Sequence, residues 1–350
     1  MNNNFSFNSQ EFNFPSPKYI KNNNILINKN YENICTFRKD ISNIISRNNN
    51  KLLLICGPCS IHNIDESIEY SNLLKKISLE VNDYIYIIMR TYFEKPRTSI
   101  GWKGFINDPN LNNTFDMELG INKSIEFLNY LLDIELPSGI ELLNPLILKY
   151  IGDYVSWISI GARTSESQIH REICSSLNIP IGFKNSTDGS IFSSINSIKS
   201  CYNSHVFLNI NEDGIISLIK SKGNKNTNII LRGGYSPNYY NENINEYINI
   251  INKNNLVNTS IIVDCSHNNS NKDYRNQGKV FNYVLNNILN GNDYIKGLMI
   301  ESYIKEGNQN LDNNKLKYGL SITDSCIGWN ETEDIIYNLY NKYKNYILTK

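Results

Sequence analysis

The sequence predicts an α/β fold: a (β/α)8 (TIM) barrel with an N-terminal arm and helix and a β-hairpin inserted between strands five and six. Three observations predict it. Eight short β-branched or aliphatic runs recur, at 52–56, 84–89, 139–143, 157–160, 179–183, 228–231, 261–264 and 297–300. The segments between them carry apolar residues at helical spacing. Nearly every run also releases a charged or metal-competent side chain at its C-terminal end, the end where a barrel builds its site. An open doubly wound sheet shares the alternation and is the competing arrangement.

Residues 1–30 read as an extended arm, with Pro15 and Pro17 and with Phe5, Phe7, Phe12 and Phe14 spaced along it. Aromatics on an arm too polar to fold alone imply docking onto another surface, such as a second subunit. A helix is expected over 31–47, with Ile34, Phe37, Ile41 and Ile45 on one face. Residues 1–48 thus form an arm and helix suited to subunit contact, and 49–350 the barrel. Helices between the runs are expected at 66–79, 117–132, 167–177, 190–199, 244–251, 278–289 and 331–343, the first opened by a capping box of Asn63 and Glu66. The stretch 205–220, turning at Glu212-Asp213-Gly214, reads as the inserted hairpin.

Composition narrows the partners. Thirty-four basic and thirty-four acidic side chains cancel, which argues against nucleic acid or an acidic membrane surface. No apolar run approaches the roughly 20 residues of a membrane span. Seven cysteines in an odd, unpaired spacing and the absence of a signal-peptide pattern at Met1 point to a reduced, cytoplasmic setting.

The residues just past the runs sort into two chemical classes. The first is cationic: Arg90, Lys95, Arg97, Arg163, Lys184 and Arg232. Pro96 fixes its own φ and keeps Lys95 out of the helical region, so Lys95 and Arg97 sit on stiff extended backbone. Six cations at one mouth of a neutral protein call for phosphorylated, carboxylated ligands. Glycines in Arg232-Gly233-Gly234 let backbone N–H groups approach a phosphate. The second class is Cys59, His267, Glu301 and Asp324, a thiol, an imidazole and two carboxylates suited to Mn, Fe, Co or Zn. His62, His170 and His205 read as structural.

Gly57-Pro58-Cys59-Ser60-Ile61-His62, Tyr92 through Thr98, Gly161-Ala162-Arg163-Thr164, Ile229 through Gly234 and Glu306-Gly307-Asn308-Gln309 together resemble class I DAHP synthase, from about residue 35 onward. The resemblance implies condensation of phosphoenolpyruvate with erythrose 4-phosphate and water, the first step of the shikimate pathway. It places Arg90, Lys95, Arg163, Lys184 and Arg232 on phosphoenolpyruvate, and Arg97 and Thr98 on the sugar phosphate. Cys59, His267, Glu301 and Asp324 would hold a divalent metal, which acts as a Lewis acid on the aldehyde. Lys95, with its pKa lowered by neighbouring cations, would handle a proton. Glu141 and a water on the metal both stay open as the group that activates water. A homodimer or homotetramer is implied.

The regulatory end departs from the pattern. The resemblance puts Phe207 and Asn209 at an aromatic effector pocket, but Asn209 stands where Gly or Ser is usual, and the larger amide shrinks it. This argues against feedback inhibition. Asn268, where the family favours Gly or Ala, is expected in left-handed backbone, which Asn accepts. Two other functions compete. A related synthase uses arabinose 5-phosphate, but differs in the Lys95-Pro96-Arg97-Thr98 loop; a non-catalytic regulatory barrel would show a damaged cation or ligand set.

Overall fold

The computed structural model describes residues 9–256, 258–311 and 316–350. Two helices, α1 (Pro17–Asn23) and α2 (Asn28–Ile45), precede β1 (Leu52–Gly57). Then follow α3 (Ile64–Val81), β2 (Ile85–Arg90), α4 (Met117–Asp133), β3 (Ser138–Leu142), α5 (Leu148–Ile151), β4 (Trp157–Ile160), α6 (Gln168–Ser175), β5 (Ile181–Lys184) and α7 (Phe192–Cys201). The antiparallel hairpin β6 (Val206–Ile210) and β7 (Ile216–Lys220) comes next. The chain ends with β8 (Thr227–Leu231), α8 (Asn241–Lys253), β9 (Ser260–Asp264), α9 (Gln277–Leu289), β10 (Ile295–Glu301) and α10 (Trp329–Thr349).

Eight of these strands close into one parallel barrel in the order β1-β10-β9-β8-β5-β4-β3-β2, with the hairpin outside the ring between β5 and β8. The expected fold is the observed one. Burial on both faces explains why the strands read as continuous apolar runs rather than alternating ones.

The barrel interior is plugged in layers. Leu53, Ile55, Ile88, Trp157, Ile230, Ile262 and Met299 pack together inside, joined by Ile41, Ile44 and Ile45 from the end of α2. The Trp157 indole fits because its neighbours are glycines: a Cβ on Gly182 would lie 2.7 Å from the indole, and one on Gly139 would lie 3.0 Å away. With the interior filled mainly by hydrocarbon, apart from Asn228 against the Trp157 indole, the charged side chains of the cleft are left to the C-terminal rim.

Three expectations change. The arm is not extended throughout: Pro17 starts α1, capped by Ser16, whose Oγ accepts from Tyr19 N at 3.3 Å. α1 docks on its own chain. Lys18 N donates to Glu212 O at 2.8 Å, and Lys21 Nζ pairs with Asp153 at 2.7 Å and Glu212 at 3.0 Å. Phe14 sits edge-on to Tyr150 while Phe12 is exposed; Phe5 and Phe7 lie outside the described residues. The capping box is half made: Asn63 accepts from Glu66 N, but the Glu66 carboxylate turns to the Tyr303 hydroxyl at 2.8 Å. Finally, β2, β5 and β10 each end one residue later than expected, so that Arg90, Lys184 and Glu301 belong to the strands, as Glu141 was expected to in β3, which fixes their backbones in the barrel register.

Candidate active site

A cleft of about 630 Å³ opens at the C-terminal rim of the barrel. Its wall includes Arg90, Lys95, Arg97, Thr98, Glu141, Arg163, Lys184, Arg232, His267, Glu301 and Asp324, gathered from the ends of seven strands. Cys59 is buried beneath the surface, where Lys95 Nζ donates to its Sγ and to its carbonyl O, each at 3.1 Å.

Three of the four candidate metal ligands converge. Ligand atoms of Cys59, Glu301 and Asp324 lie within 4.8 Å of one another. β1 and β10 are paired with Gly57 opposite Glu301, which brings the first two together. The chain after β10 folds back through the Ser302–Ile327 and Gly307–Cys326 bridges, and Ser60 Oγ meets Thr323 Oγ1 at 2.7 Å; together these deliver Asp324. His267 stands beside the trio: Nε2 is 3.8 Å from Glu301 Oε1, while Nδ1 is 2.7 Å from Asp264 Oδ2. That ion-pair contact, with Ser266 Oγ 2.8 Å from Nδ1, holds the ring and leaves Nε2 facing the trio, the arrangement that supports a ligating imidazole. A thiol, two carboxylates and an oriented imidazole fit a borderline divalent ion.

The buried cations are paired. Arg90 Nη2 donates to Glu301 Oε1 at 2.9 Å, and Lys184 Nζ to Glu141 Oε2 at 2.5 Å. Between them lies Tyr92, with the Arg90 guanidinium 4.0 Å and the Lys184 ammonium 5.5 Å from its ring centroid. Gly161 makes room for Glu141, since a Cβ there would lie 2.8 Å from Oε1. At the exposed rim, Arg163 Nη2 donates to Thr98 Oγ1 at 3.1 Å, and Arg97 Nε to Trp102 O at 2.7 Å.

The charges act on one another. Burial alone would push the Glu141 carboxyl up, but Lys184 and Lys95 outweigh it and hold it at about 2. Burial, reinforced by Glu301, pushes the Cys59 thiol up to about 11 against the pull of Lys95. Lys95 corrects an expectation. Burial would lower its pKa, but Cys59, Glu301, Glu141 and Asp324 prevail, so it stands above the ordinary lysine range. Its hydrogen-bond partners are the Cys59 sulfur and carbonyl, and the charges that act on it are carboxylates brought from other strands.

Asn268 corrects another: it is not left-handed, whereas His267, Asn271 and Lys272 of the same loop are, at φ 54°, 55° and 60°. Phe207 packs into the hydrophobic core and Asn209 Oδ1 accepts its neighbour Ile210 N at 2.8 Å, so neither lines the cleft. His170 is satisfied by Leu143 O at 2.9 Å and His205 by Ser200 O at 2.8 Å, as structural residues should be.

Sequence reading missed the residues that hold the site in place. Asp264 was legible only as a strand end, although an acid three residues before a ligating histidine is a usable signal. Tyr92 sits inside the loop motif without a charge to draw attention. Three buried asparagines had no signal. Asn185 Oδ1 accepts Arg232 N at 2.8 Å, Asn238 Oδ1 accepts Gly233 N at 2.9 Å, and Asn269 Nδ2 donates to Asp264 O at 2.8 Å.

A profile of the DAHP synthetase I family matches residues 23–336. The chain belongs to the DAHP synthetase I family. It is similar to the Tyr-sensitive phospho-2-dehydro-3-deoxyheptonate aldolase of Escherichia coli (strain K12), at 45% identity over 88% of this chain and 86% of that one. The phospho-2-dehydro-3-deoxyheptonate aldolase of Corynebacterium glutamicum is 38% identical over 93% of this chain and 90% of that one. A solved structure of the Francisella tularensis SCHU S4 aldolase superposes with a TM-score of 0.92 at 38% identity, covering 96% of this chain and 98% of that one. Membership in the family agrees with the barrel and with the sequence resemblance that the motifs carry.

Glu94, in the loop between β2 and α4, gives a pH test of how this rim is built. Its carboxylate is buried and accepts Asn144 N at 3.2 Å. Burial raises its pKa from 4.5 to about 7, against those backbone hydrogen bonds. The folded state therefore holds the proton more tightly than the unfolded one. The contribution of Glu94 to stability is greatest below about pH 4.5 and falls as pH rises toward 7. Glu94→Gln is expected to match the wild type near pH 4.5 and to exceed it near pH 8 by on the order of 2–3 kcal/mol. Urea unfolding at the two pH values checks this; equal offsets at both would remove the buried charge as the cause.

Proposed function

We propose that this chain condenses phosphoenolpyruvate with D-erythrose 4-phosphate and water to 3-deoxy-D-arabino-heptulosonate 7-phosphate, releasing phosphate. The carrying observation is the convergence of cations and metal-competent ligands on one cleft at the barrel rim. Phosphoenolpyruvate carries roughly three negative charges near neutrality, and Arg90, Lys95, Arg163, Lys184 and Arg232 offset them while holding one face of its double bond to the aldehyde. Arg97 and Thr98, exposed farther along the loop, take the sugar phosphate.

Cys59, Glu301 and Asp324, with His267 Nε2, would hold Mn, Fe, Co or Zn. That ion supplies Lewis acidity to the aldehyde. Carbon 3 of phosphoenolpyruvate attacks the aldehyde carbon, forming the new C–C bond. Lys95, protonated throughout the working range, acts as an acid toward the developing alkoxide. Water adds at the carbon 2 cation so formed and its proton returns to the Lys95 amine; the carbon 2–oxygen bond to phosphate then breaks, the departing phosphate taking the remaining hydroxyl proton. Glu141 is a poor base for that water, because its carboxylate is committed to Lys184. Its role is to hold the Lys184 ammonium at the phosphoenolpyruvate site.

The decisive assay supplies phosphoenolpyruvate with erythrose 4-phosphate or arabinose 5-phosphate to metal-reconstituted protein. Phosphate release and heptulosonate with the tetrose alone are expected. Product only from the pentose would overturn the substrate, and none from either would leave the non-catalytic barrel.

Seven free thiols support a reduced, cytoplasmic setting. No helix among the described residues is long and apolar enough to cross a membrane. The outer face of the hairpin supports a homo-oligomer, a homodimer or homotetramer. Val206, Leu208, Ile216 and Leu218 are 57–74% exposed, and Leu208 lies opposite Leu218, so one sheet face is an uncovered apolar patch. A second copy of residues 1–48 and of this hairpin is the occupant we infer. Leu218→Asp is expected to shift light-scattering mass toward the monomer, and an unchanged mass would exclude the hairpin as interface.

A further inference from the structure

The cations of the cleft are not held alike. Arg90 is paired with Glu301, Lys184 with Glu141, and Lys95 donates to the Cys59 sulfur. The partners of Arg90 and Lys184 are carboxylates. Arg232, like Arg163 and Arg97 at the exposed rim, is held by neutral groups: Nη2 donates to the amide of Asn268, Oδ1 accepting at 2.8 Å, and its backbone N donates to Asn185 Oδ1 at 2.8 Å. Arg232 makes no ion pair among the described residues.

Asn268 is itself locked. Its Nδ2 donates to Gly234 O at 2.5 Å and its backbone N to Arg232 O at 3.2 Å. With a carbonyl facing Nδ2, the amide orientation is set by the network, leaving Oδ1 for the guanidinium. The close approach requires Gly233, at φ 76°, where a Cβ would lie 2.8 Å from Asn268. The side chain is thus built into the loop rather than loosely placed.

We propose that Asn268 is a positioning residue that aims Arg232 at an anionic ligand group without spending its charge. Aspartate has the same shape and would make a stronger bond to the guanidinium, but it would cancel the field that a phosphate or carboxylate meets. An amide fixes the direction of the guanidinium and leaves its charge to the ligand. The proposal rests on the reading of this cleft as a site for a phosphorylated carboxylate.

The test compares Asn268→Asp with Asn268→Ala in the full chain. Calorimetric titration with phosphoenolpyruvate at low and moderate salt is combined with KM, kcat and thermal unfolding. Asn268→Asp is expected to weaken phosphoenolpyruvate binding about tenfold at low salt through the added charge, while thermal unfolding reads the new ion pair against the loss of the Nδ2 donor to Gly234 O. Asn268→Ala, which loses one neutral brace, is expected to weaken it only about two- to threefold. KM for phosphoenolpyruvate should carry the loss, and added salt should narrow the gap between the variants. Binding by Asn268→Asp equal to the wild type, or an Ala variant weaker than Asp, overturns the proposal. If the Asp variant does not fold, Asn268→Ser decides. A neutral acceptor should place it between wild type and Ala, and a Ser variant no better than Ala overturns the proposal as well. Wild-type protein that binds no phosphoenolpyruvate would sink the underlying reading of the cleft, whereas normal wild-type binding with an unaffected Asp variant sinks the role of Asn268 alone.

Discussion

Replacing Cys59 with alanine is expected to lower kcat by at least about 10³-fold and to strip the divalent ion from the protein. The thiol is the softest donor of the cluster and lies at its buried end, with Glu301 and Asp324 within 4.8 Å. Without it, two carboxylates and His267 remain, a harder and more open set with lower affinity for Fe, Co or Zn. The same change removes one of the two acceptors of Lys95 Nζ and leaves only the Cys59 carbonyl, so the ammonium is also less well placed. The burial-raised thiol pKa adds a pH signature: an ion must displace a proton to bind, so metal affinity should fall as pH falls. Elemental analysis of dialysed Cys59→Ala, with turnover under saturating added metal, checks both parts. Full metal content and near-normal turnover would remove Cys59 from the ligand set and break the case for the site.

Lys184→Met is expected to cost about 3 kcal/mol of stability and more than about 10²-fold in kcat/KM for phosphoenolpyruvate. Lys184 is 3% exposed and Glu141 is 8% exposed, so truncating the lysine strands a buried carboxylate. Its companion, Lys184→Met with Glu141→Leu, removes both charges and should recover stability to within about 1 kcal/mol of the wild type. Activity should not return, because the cation proposed to meet phosphoenolpyruvate is still missing. This split separates a structural from a functional role. Urea unfolding and initial rates on the single and double variants read it directly. A single variant costing under about 1 kcal/mol would mean that Glu141 finds another partner.

The features legible in the sequence are those that local chemistry writes into one segment. Apolar runs such as Leu52-Leu53-Leu54-Ile55 announce a strand buried on both faces. Pro96 stiffens its own loop, and Arg90, Lys184 and Glu301 close their strands where a barrel builds its rim. Long-range pairing was not legible. Arg90 finds Glu301 across 211 residues of chain, and Lys184 finds Glu141 across 43. Lys95 shows the cost: its pKa direction read from neighbours in sequence was reversed by neighbours in space.

Periodicity and strand-end chemistry were enough for the barrel, the hairpin, the cation class and the metal-competent class, because each depends on residues adjacent in the chain. Which cation is neutralised, which is free, and which asparagine holds it depended on barrel closure and on loops folding back over the rim. Short hydrogen bonds and ion pairs weaken steeply with distance, so their partners exist only once the strands are in register. Asn268 illustrates the division. In the sequence it is an odd residue beside a histidine, and in the folded protein it is the neutral brace on Arg232.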